Sequence, residues 1–209
     1  MALDTYDNLK SEIASFLNRD DLTANIDTFI DLAESRHARD LRIREMEAVD
    51  ISITTVAGTQ AYDLPTGYLE LRYAMLRTSP YTMLQYMSPA DFFRVYNDGQ
   101  GNGAPIYYTI VGKQIYLGNT PDSANVLELG LFKRVTALSS SNTTNDILTN
   151  FPDLYLYGSL AETSPFLMQD ERLQVWSALY KESVKTANDS AQRGRVSAAP
   201  LQMSARRVV

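Results

Sequence analysis

His37 is the only histidine of the chain and therefore the first residue to consider for acid–base chemistry. It lies in an arginine-rich run, residues 36–45, where only Asp40 could orient its ring. A catalytic histidine needs a nucleophile within hydrogen-bonding reach, and the sequence has no Gly-x-Ser-x-Gly elbow. It also has no cysteine, which excludes disulfides, thiolate metal sites and cysteine nucleophiles. We therefore predict an exposed helix position for His37, and a protein that is not an enzyme and holds no metal or cofactor.

Gly99, Gly101 and Gly103 alternate with polar residues in a loop that could cradle a phosphate. A phosphate loop follows a strand and opens a helix whose N-terminal amides face the anion. Here the loop follows a short predicted helix and precedes a proline and a strand, which favours a flexible connector. The adjacent carboxylates of Asp20 and Asp21 could suggest glycosidase chemistry. With 25 acidic residues in the chain, however, such pairs are expected by chance.

Tyrosine is abundant, with 13 copies, and Tyr107, Tyr108 and Tyr116 fall on one predicted hairpin. The alternation of a strand places one of Tyr107 and Tyr108 inside and the other outside. Tyrosine has an apolar ring and a polar tip, which suits protein interfaces and carbohydrate platforms. Ordinary sheet packing and use in an interface explain these residues about equally well.

The charge of the chain is negative overall and unevenly distributed. The formal net charge of −6 argues against general DNA binding, since proteins that bind nucleic acid without sequence preference are usually basic. Residues 1–34 carry eight acids and two bases, whereas residues 190–209 carry four arginines and no acid. An acidic body with a basic tail predicts that the tail binds an acidic partner surface. No apolar stretch approaches the roughly 20 residues of a membrane span, so no membrane contact is predicted.

Helical periodicity marks both ends of the sequence. Apolar residues spaced three and four apart predict two helices within residues 1–48. The second of these should continue up to the first strand, at about Glu47. The period returns within residues 147–194, where Pro152 suits a helix start. We expect 147–194 to pack with 1–48.

Residues 49–138 alternate apolar and polar positions, as β-strands do. Val49, Ile51 and Ile53 predict a strand with one buried face. Residues 81–87 predict a single later strand. This part of the chain is therefore expected to form a β-rich insertion between the two helical segments.

The clearest hairpin signal joins residues 106–111 to residues 114–117. Gly112 and Lys113 separate them, and glycine in the first turn position matches a type II′ turn. The predicted fold is α+β: a helical bundle from the N- and C-terminal helices, a central antiparallel β insertion, and an extended C-terminal arm.

The last residues, 195–209, lose this periodicity and form the predicted arm. About 15 extended residues reach roughly 50 Å. Apolar anchors between cations suit docking, because apolar burial supplies affinity and arginine pairs with carboxylates. The residues predicted to carry docking are Leu201, Met203, Arg206, Arg207, Val208 and Val209.

Four stretches, spread over almost the whole chain, form a recognisable set. The most specific is FPDLYLYGSL at residues 151–160, followed by DER at 170–172. The others are YDNLKSEI at 6–13 with FIDLAE at 29–34, YDLP at 62–65, and APIYYTIVG at 104–112 running into IYL at 115–117. With these stretches the chain resembles the head-to-tail adaptor (connector) proteins of tailed bacteriophages, in the group known from short-tailed phages.

The resemblance implies a structural virion protein. Such adaptors form a twelve-fold ring below the portal ring of the capsid, extend the DNA channel and present a platform for tail (nozzle) proteins. Their C-terminal arm docks onto the portal, which is the role implied for the six arm residues. DNA is expected to pass through the channel without specific binding, because an acidic wall repels phosphates. The implied location is the neck of the virion, after synthesis in the host cytoplasm.

The loop and the hairpin become candidates for contact with tail proteins or with neighbouring subunits. The residues concerned are Gly99, Gly101, Gly103, Tyr107, Tyr108, Gly112 and Lys113.

Other interpretations remain open at this point. A Tyr-rich carbohydrate-binding tail accessory module would be dominated by β-structure and would bind sugar saturably, and the helices at both ends argue against it. An enzyme that uses carboxylates alone, for instance on cell-wall glycans, would lose activity on mutation of one acid, and the sequence singles out none. Only the motif resemblance distinguishes an adaptor from another neck component such as a tail-completion protein.

Overall fold

The computed structural model describes residues 3–18, 20–96, 101–166 and 171–196 of the 209-residue chain. The chain is divided into two compact units. One combines residues 1–45 with residues 136–209, and the other consists of residues 46–135. The first is helical, and the second is built mainly from strands. The predicted α+β class is confirmed. The predicted arm lies outside the described residues beyond position 196.

The helical unit is formed by both ends of the sequence. Its N-terminal part contains α1 (Tyr6–Leu17), a 3₁₀ turn (Asp20–Asn25) and α2 (Ile26–Asp40). Its C-terminal part contains α4 (Asp146–Asn150), α5 (Pro152–Glu162) and α6 (Arg172–Val196).

Local sequence signals account for both ends of α1. The Thr5 hydroxyl accepts a hydrogen bond from the backbone N–H of Asn8 (3.3 Å), which satisfies one of the free donors of a helix start. At the other end, Asn18 adopts a left-handed conformation with φ 50°, which asparagine tolerates better than most residues. The residues between the caps that lie at helical spacing are buried: Tyr6, Leu9, Ile13 and Leu17.

The second helix is shorter than the sequence predicts. It ends at Asp40 instead of continuing to the first strand, and Leu41 is extended, with φ −100° and ψ 138°. Leu41 and Ile43 are both fully buried, at the spacing of two by which an extended chain presents side chains to one face. The backbone N–H of Arg42 donates to the side-chain oxygen of Asn188 (2.9 Å). A tertiary hydrogen bond thus takes the place of a helical one.

α5 is the central helix of this unit. It packs against α1, α2, α4 and α6, and seven of its eleven residues are buried, as expected of a helix that occupies a core. Pro152 is at its start, as predicted, where the missing N–H would be unpaired in any case. α6 covers it with one buried face: Trp176, Tyr180, Ala187 and Ala191.

The second unit contains two four-stranded sheets. The first has the order β1 (Glu47–Thr54), β8 (Val126–Lys133), β3 (Tyr68–Leu76) and β4 (Thr82–Met83). The second has the order β2 (Ala61–Asp63), β7 (Gln114–Gly118), β6 (Tyr107–Val111) and β5 (Gln85–Tyr86). These strands pair antiparallel, except β5 with β6. A short helix, α3 (Pro89–Val95), follows β5.

Both sheets contribute one face to a shared hydrophobic core, in the manner of two packed sheets. The predicted hairpin is confirmed: Val111 pairs with Gln114, and Gly112 between the strands has φ 62°. The buried residues of this core are Ala74, Leu76, Leu84, Tyr108, Ile115, Leu117, Leu127, Leu129 and Leu131.

The prediction of a buried face for β1 is wrong for two of its three residues. Val49 is 59% exposed and Ile51 is 49% exposed, whereas Ala48 and Ile53 pack against the core. The pairing of β1 with β8 shifts register between Asp50 and Ile53. Because a bulge interrupts the alternation of side chains, one row of apolar residues does not stay on one face.

The single strand predicted for residues 81–87 is also wrong, because two strands form there in different sheets. β4 pairs with β3, and β5 pairs with β6. Leu84 stands between them, buried in the core at 6% exposure. The chain therefore passes from one sheet to the other at a residue that anchors it in the interior.

Candidate functional site

His37 is buried, and the prediction of an exposed position is wrong. It is 2% exposed because its face of α2 packs on α5. Its Nε2 lies 3.2 Å from the carbonyl oxygen of Leu154, and its ring contacts the rings of Tyr155 and Tyr180. Gly158 makes room for it, since a Cβ atom there would lie 3.2 Å from Nε2. Burial lowers the pKa of His37 to about 4, so the ring is neutral at pH 7 and serves packing.

A second buried polar residue, Glu34, also serves the fold. Its carboxylate accepts hydrogen bonds from the backbone N–H of Leu138 (2.7 Å) and from the Tyr155 hydroxyl (3.0 Å). The Asn145 side chain donates to the same hydroxyl (2.7 Å). Buried carboxylates require such donors, and these three contacts tie α2 to α5 and to the segment before α4. Among the described residues, no group of three or more His, Asp or Glu is placed to hold a metal ion.

The glycine loop is described in part, and Gly99 lies outside the described residues. Gly101 and Gly103 have positive φ angles of 88° and 151°. The carbonyl of Gly101 accepts from the N–H of Thr120 (2.8 Å), and the N–H of Gly103 donates to the carbonyl of Thr120 (3.0 Å). These backbone groups are used within the fold, so they do not form a free cradle for an anion.

The two adjacent tyrosines of the hairpin lie on opposite faces of the second sheet. Tyr108 is part of the core, with its ring centroid 5.7 Å from that of Tyr86. Tyr107 faces the other way and lies 6.2 Å from Tyr96, just beyond α3. The structure thus identifies Tyr107 as the outer of the two residues.

The tip of the hairpin borders a depression of about 390 Å³. Gly112 and Lys113 form one wall, and the turn at residues 64–68 forms the other. The carbonyl of Lys113 accepts from the N–H of Leu64 (2.9 Å), which holds the two turns together. Lys113 is exposed, so its ammonium is available to a partner.

α3 covers the outer face of the second sheet with aromatic rings. Ser88 caps this helix by accepting from the N–H of Asp91. Phe92 is fully buried, and Phe93 contacts the ring of Tyr116 edge-on. Gly118 permits this close packing, because a Cβ atom there would lie 2.7 Å from the ring of Tyr96.

Residues 46–135, the unit built mainly from strands, are called the β-unit below. Large apolar residues are exposed along two of its edges, and the sequence analysis did not predict their exposure. One group is Val49 and Ile51 on β1, described above. The other is Tyr81 (66% exposed), Met83 (57%) and Tyr86 (61%) along β4 and β5. A usable sequence signal was present: residues 78–90 contain no charged residue, although edge strands are commonly protected by charges.

A buried ion pair lies on the outer face of the first sheet. The Glu128 carboxylate, 7% exposed, accepts from the Arg77 guanidinium (2.6 Å) and from the Tyr73 hydroxyl (3.0 Å). The Tyr73 ring lies across Gly130, where a Cβ atom would come 2.1 Å from a ring carbon. Burial, followed by this carboxylate contact, raises the pKa of Tyr73. The arrangement satisfies the buried charge of Glu128.

The first helices carry an acidic surface. The Asp27 carboxylate pairs with Lys10 (2.7 Å) and accepts from the Tyr6 hydroxyl (2.9 Å). These contacts, Lys10 first, lower the pKa of Asp27. Burial and the carboxylates of Asp27, Asp31 and Glu34 raise the pKa of Tyr6.

The six arm residues lie outside the described residues, so the structure does not place the predicted docking segment. Within the described part of the chain, no helix is both long enough and apolar enough to cross a membrane.

Comparison with known proteins identifies one family. A family model described as SU10 adaptor protein matches residues 4–204. This span includes nearly all of both compact units and most of the C-terminal segment. No curated protein matches the sequence significantly.

Proposed function

The chain belongs to the SU10 adaptor family of structural phage proteins, and on that premise we propose that it forms the ring that joins the portal to the tail. The ring contains about twelve copies, the number implied by the adaptor resemblance. It extends the DNA channel and offers a platform to tail (nozzle) proteins. The family match over residues 4–204 is the observation that carries this proposal.

The C-terminal arm is proposed to attach each subunit to the portal. Residues 201–209 combine apolar side chains with two arginines and have no acid. Apolar burial would supply affinity, and each guanidinium would pair with a carboxylate of the portal. Ordering such an arm costs free energy that only contact with the portal would repay, so attachment and ordering should occur together.

The hairpin tip and the glycine loop are proposed to face tail proteins or adjacent subunits. Exposed Lys113 and the depression beside it offer a cation next to a concave surface. The overall charge of −6 suits a channel through which DNA slides, because like charges repel the phosphates.

Native mass spectrometry of the full chain, alone and mixed with portal rings of the same phage, tests the proposal. We expect a defined number of copies to bind each portal. A chain cut after Arg195 should stay folded, because α6 loses only its last residue, but it should no longer join the portal. Deletion of residues 99–103 should leave portal binding intact and block tail attachment in assembled particles.

Two results would contradict these assignments. Undiminished portal binding by the truncated chain would remove the role of the arm. Absence of any association between the full chain and the portal would refute the ring itself and favour a neck component with another partner.

A further inference from the structure

The edge of the β-unit formed by β4 and β5 is uncharged and aromatic. Residues 78–90 include Tyr81, Met83 and Tyr86, each more than half exposed. Tyrosine and methionine are enriched in protein interfaces, and an exposed strand edge without charges invites pairing with another chain. We call this surface, residues 81–86, the β4 edge.

The opposite edge of the first sheet, to which β4 belongs, is also apolar. β1 is the outermost strand beyond β8, and it exposes Val49 and Ile51. Its eight residues make it a much longer edge than β4. We call this surface, residues 47–54, the β1 edge.

The two edges differ in charge in a complementary way. On the β1 edge Glu47 is paired with Arg72 (2.7 Å), and Asp50 accepts from the hydroxyl of Ser52 (2.6 Å), so the negative charge of this edge comes from Asp50. Arg77 lies four positions before Tyr81 in the sequence and is 39% exposed, whereas its partner Glu128 is 7% exposed. Solvent near the β4 edge therefore meets the guanidinium and not the carboxylate.

We propose that the β4 edge of one copy binds the β1 edge of the next copy, so that neighbouring β-units join head to tail. The proposal rests on the ring-forming function proposed above. A ring requires two different, complementary surfaces on every subunit, and opposite edges of one sheet supply such a pair. Pairing of the two edge strands would satisfy the hydrogen bonds of their free backbone N–H and C=O groups. Tyr81 and Met83 of one copy would cover Val49 and Ile51 of the next.

Distances within one subunit make a cross-linking test unambiguous. Val49 lies on the first strand of the sheet and Met83 on the fourth. Three inter-strand spacings of about 4.8 Å separate them by about 14 Å, whereas disulfide-bonded residues have Cα atoms less than about 7 Å apart. The chain has no native cysteine, so among copies of this chain the cysteines of an introduced pair can react only with those of another copy.

The experiment uses the full chain bound to portal rings. We expect the double variant Val49→Cys/Met83→Cys to give a ladder of disulfide-linked multimers on oxidation. Each single-cysteine variant should give no ladder, since a head-to-tail contact never brings identical positions together. As the matched control, Val49→Cys/Val175→Cys carries its second cysteine at an exposed position of α6 and should also remain monomeric on a denaturing gel.

The outcomes separate this proposal from the function on which it rests. Native mass spectrometry could show complete rings while the double variant gives no ladder of disulfide-linked multimers. That result would overturn the proposed edge contact and leave the proposed ring intact. Disulfide-linked dimers of a single-cysteine variant would overturn the head-to-tail contact, because they would show that two copies meet through the same edge. If the unmodified chain does not associate with the portal at all, the proposed function fails and the edge contact fails with it.

Discussion

His37 is the residue whose environment departs furthest from its sequence context. Four arginines surround it in the sequence, yet the ring is enclosed by apolar and aromatic groups of α5 and α6. Its Nδ1 has no hydrogen-bond partner, so protonation would place an unsatisfied donor and a charge in the core. A buried histidine of this kind makes the free energy of unfolding depend on pH.

We predict that the protein loses stability as the pH falls from about 6.5 to about 4. The pKa of His37 is lowered from 6.5 to about 4 in the folded chain, so between these values the unfolded chain binds the proton and is favoured. The full effect is about 3 kcal/mol. Urea denaturation at several pH values should show a shallower decline for His37→Gln than for the wild type. Equal slopes for the two proteins would contradict the prediction.

At the scale of elements, the first sheet depends on a buried charge. β3 and β8 are joined by the contacts of Glu128 with Arg77 and Tyr73. Removing one partner of a buried pair leaves an uncompensated charge, which costs more than replacing both. The exposure of Arg77 lets water offset part of that cost.

We therefore predict that Arg77→Met lowers the free energy of unfolding by about 2 kcal/mol. The double variant Arg77→Met/Glu128→Gln should recover part of this loss, because a neutral side chain needs no cation and still accepts from Tyr73. Equilibrium denaturation of both variants measures the difference. A double variant at least as unstable as the single one would show that the charge is not the cause.

At the scale of the whole molecule, the β-unit is a continuous segment with its own core. The first and last strands of residues 46–135 are β1 and β8, which pair with each other. A continuous segment that has its own hydrophobic core, and whose two ends lie close together, has the properties of an independent domain.

We predict that a fragment of residues 46–135 folds alone and unfolds cooperatively. Circular dichroism should show β-structure and a single thermal transition. The exposed β1 and β4 edges should make this fragment prone to associate. A fragment that lacks a cooperative transition would contradict the assignment of an independent unit.

Several features followed from the sequence because they depend on near neighbours. Pro152 opens α5 and Gly112 forms the hairpin turn, since dihedral preferences act over a few residues. The α+β class followed from helical and alternating periods in different parts of the chain. The resemblance to adaptor proteins rested on motifs of the same local kind.

Other features were decided only by tertiary packing. The periodicity of a sequence identifies the apolar face of a helix or strand, but not which segment of the chain packs against that face. α2 therefore ends where Leu41 and Ile43 are buried in an extended segment, and His37 is enclosed because Gly158 lets α5 approach. Alternation predicted a buried row on β1, but a bulge turned Val49 and Ile51 outward. The sequence determined the helical or extended character of most segments, because that depends on near neighbours. Packing between distant segments determined where the elements end and which faces remain exposed.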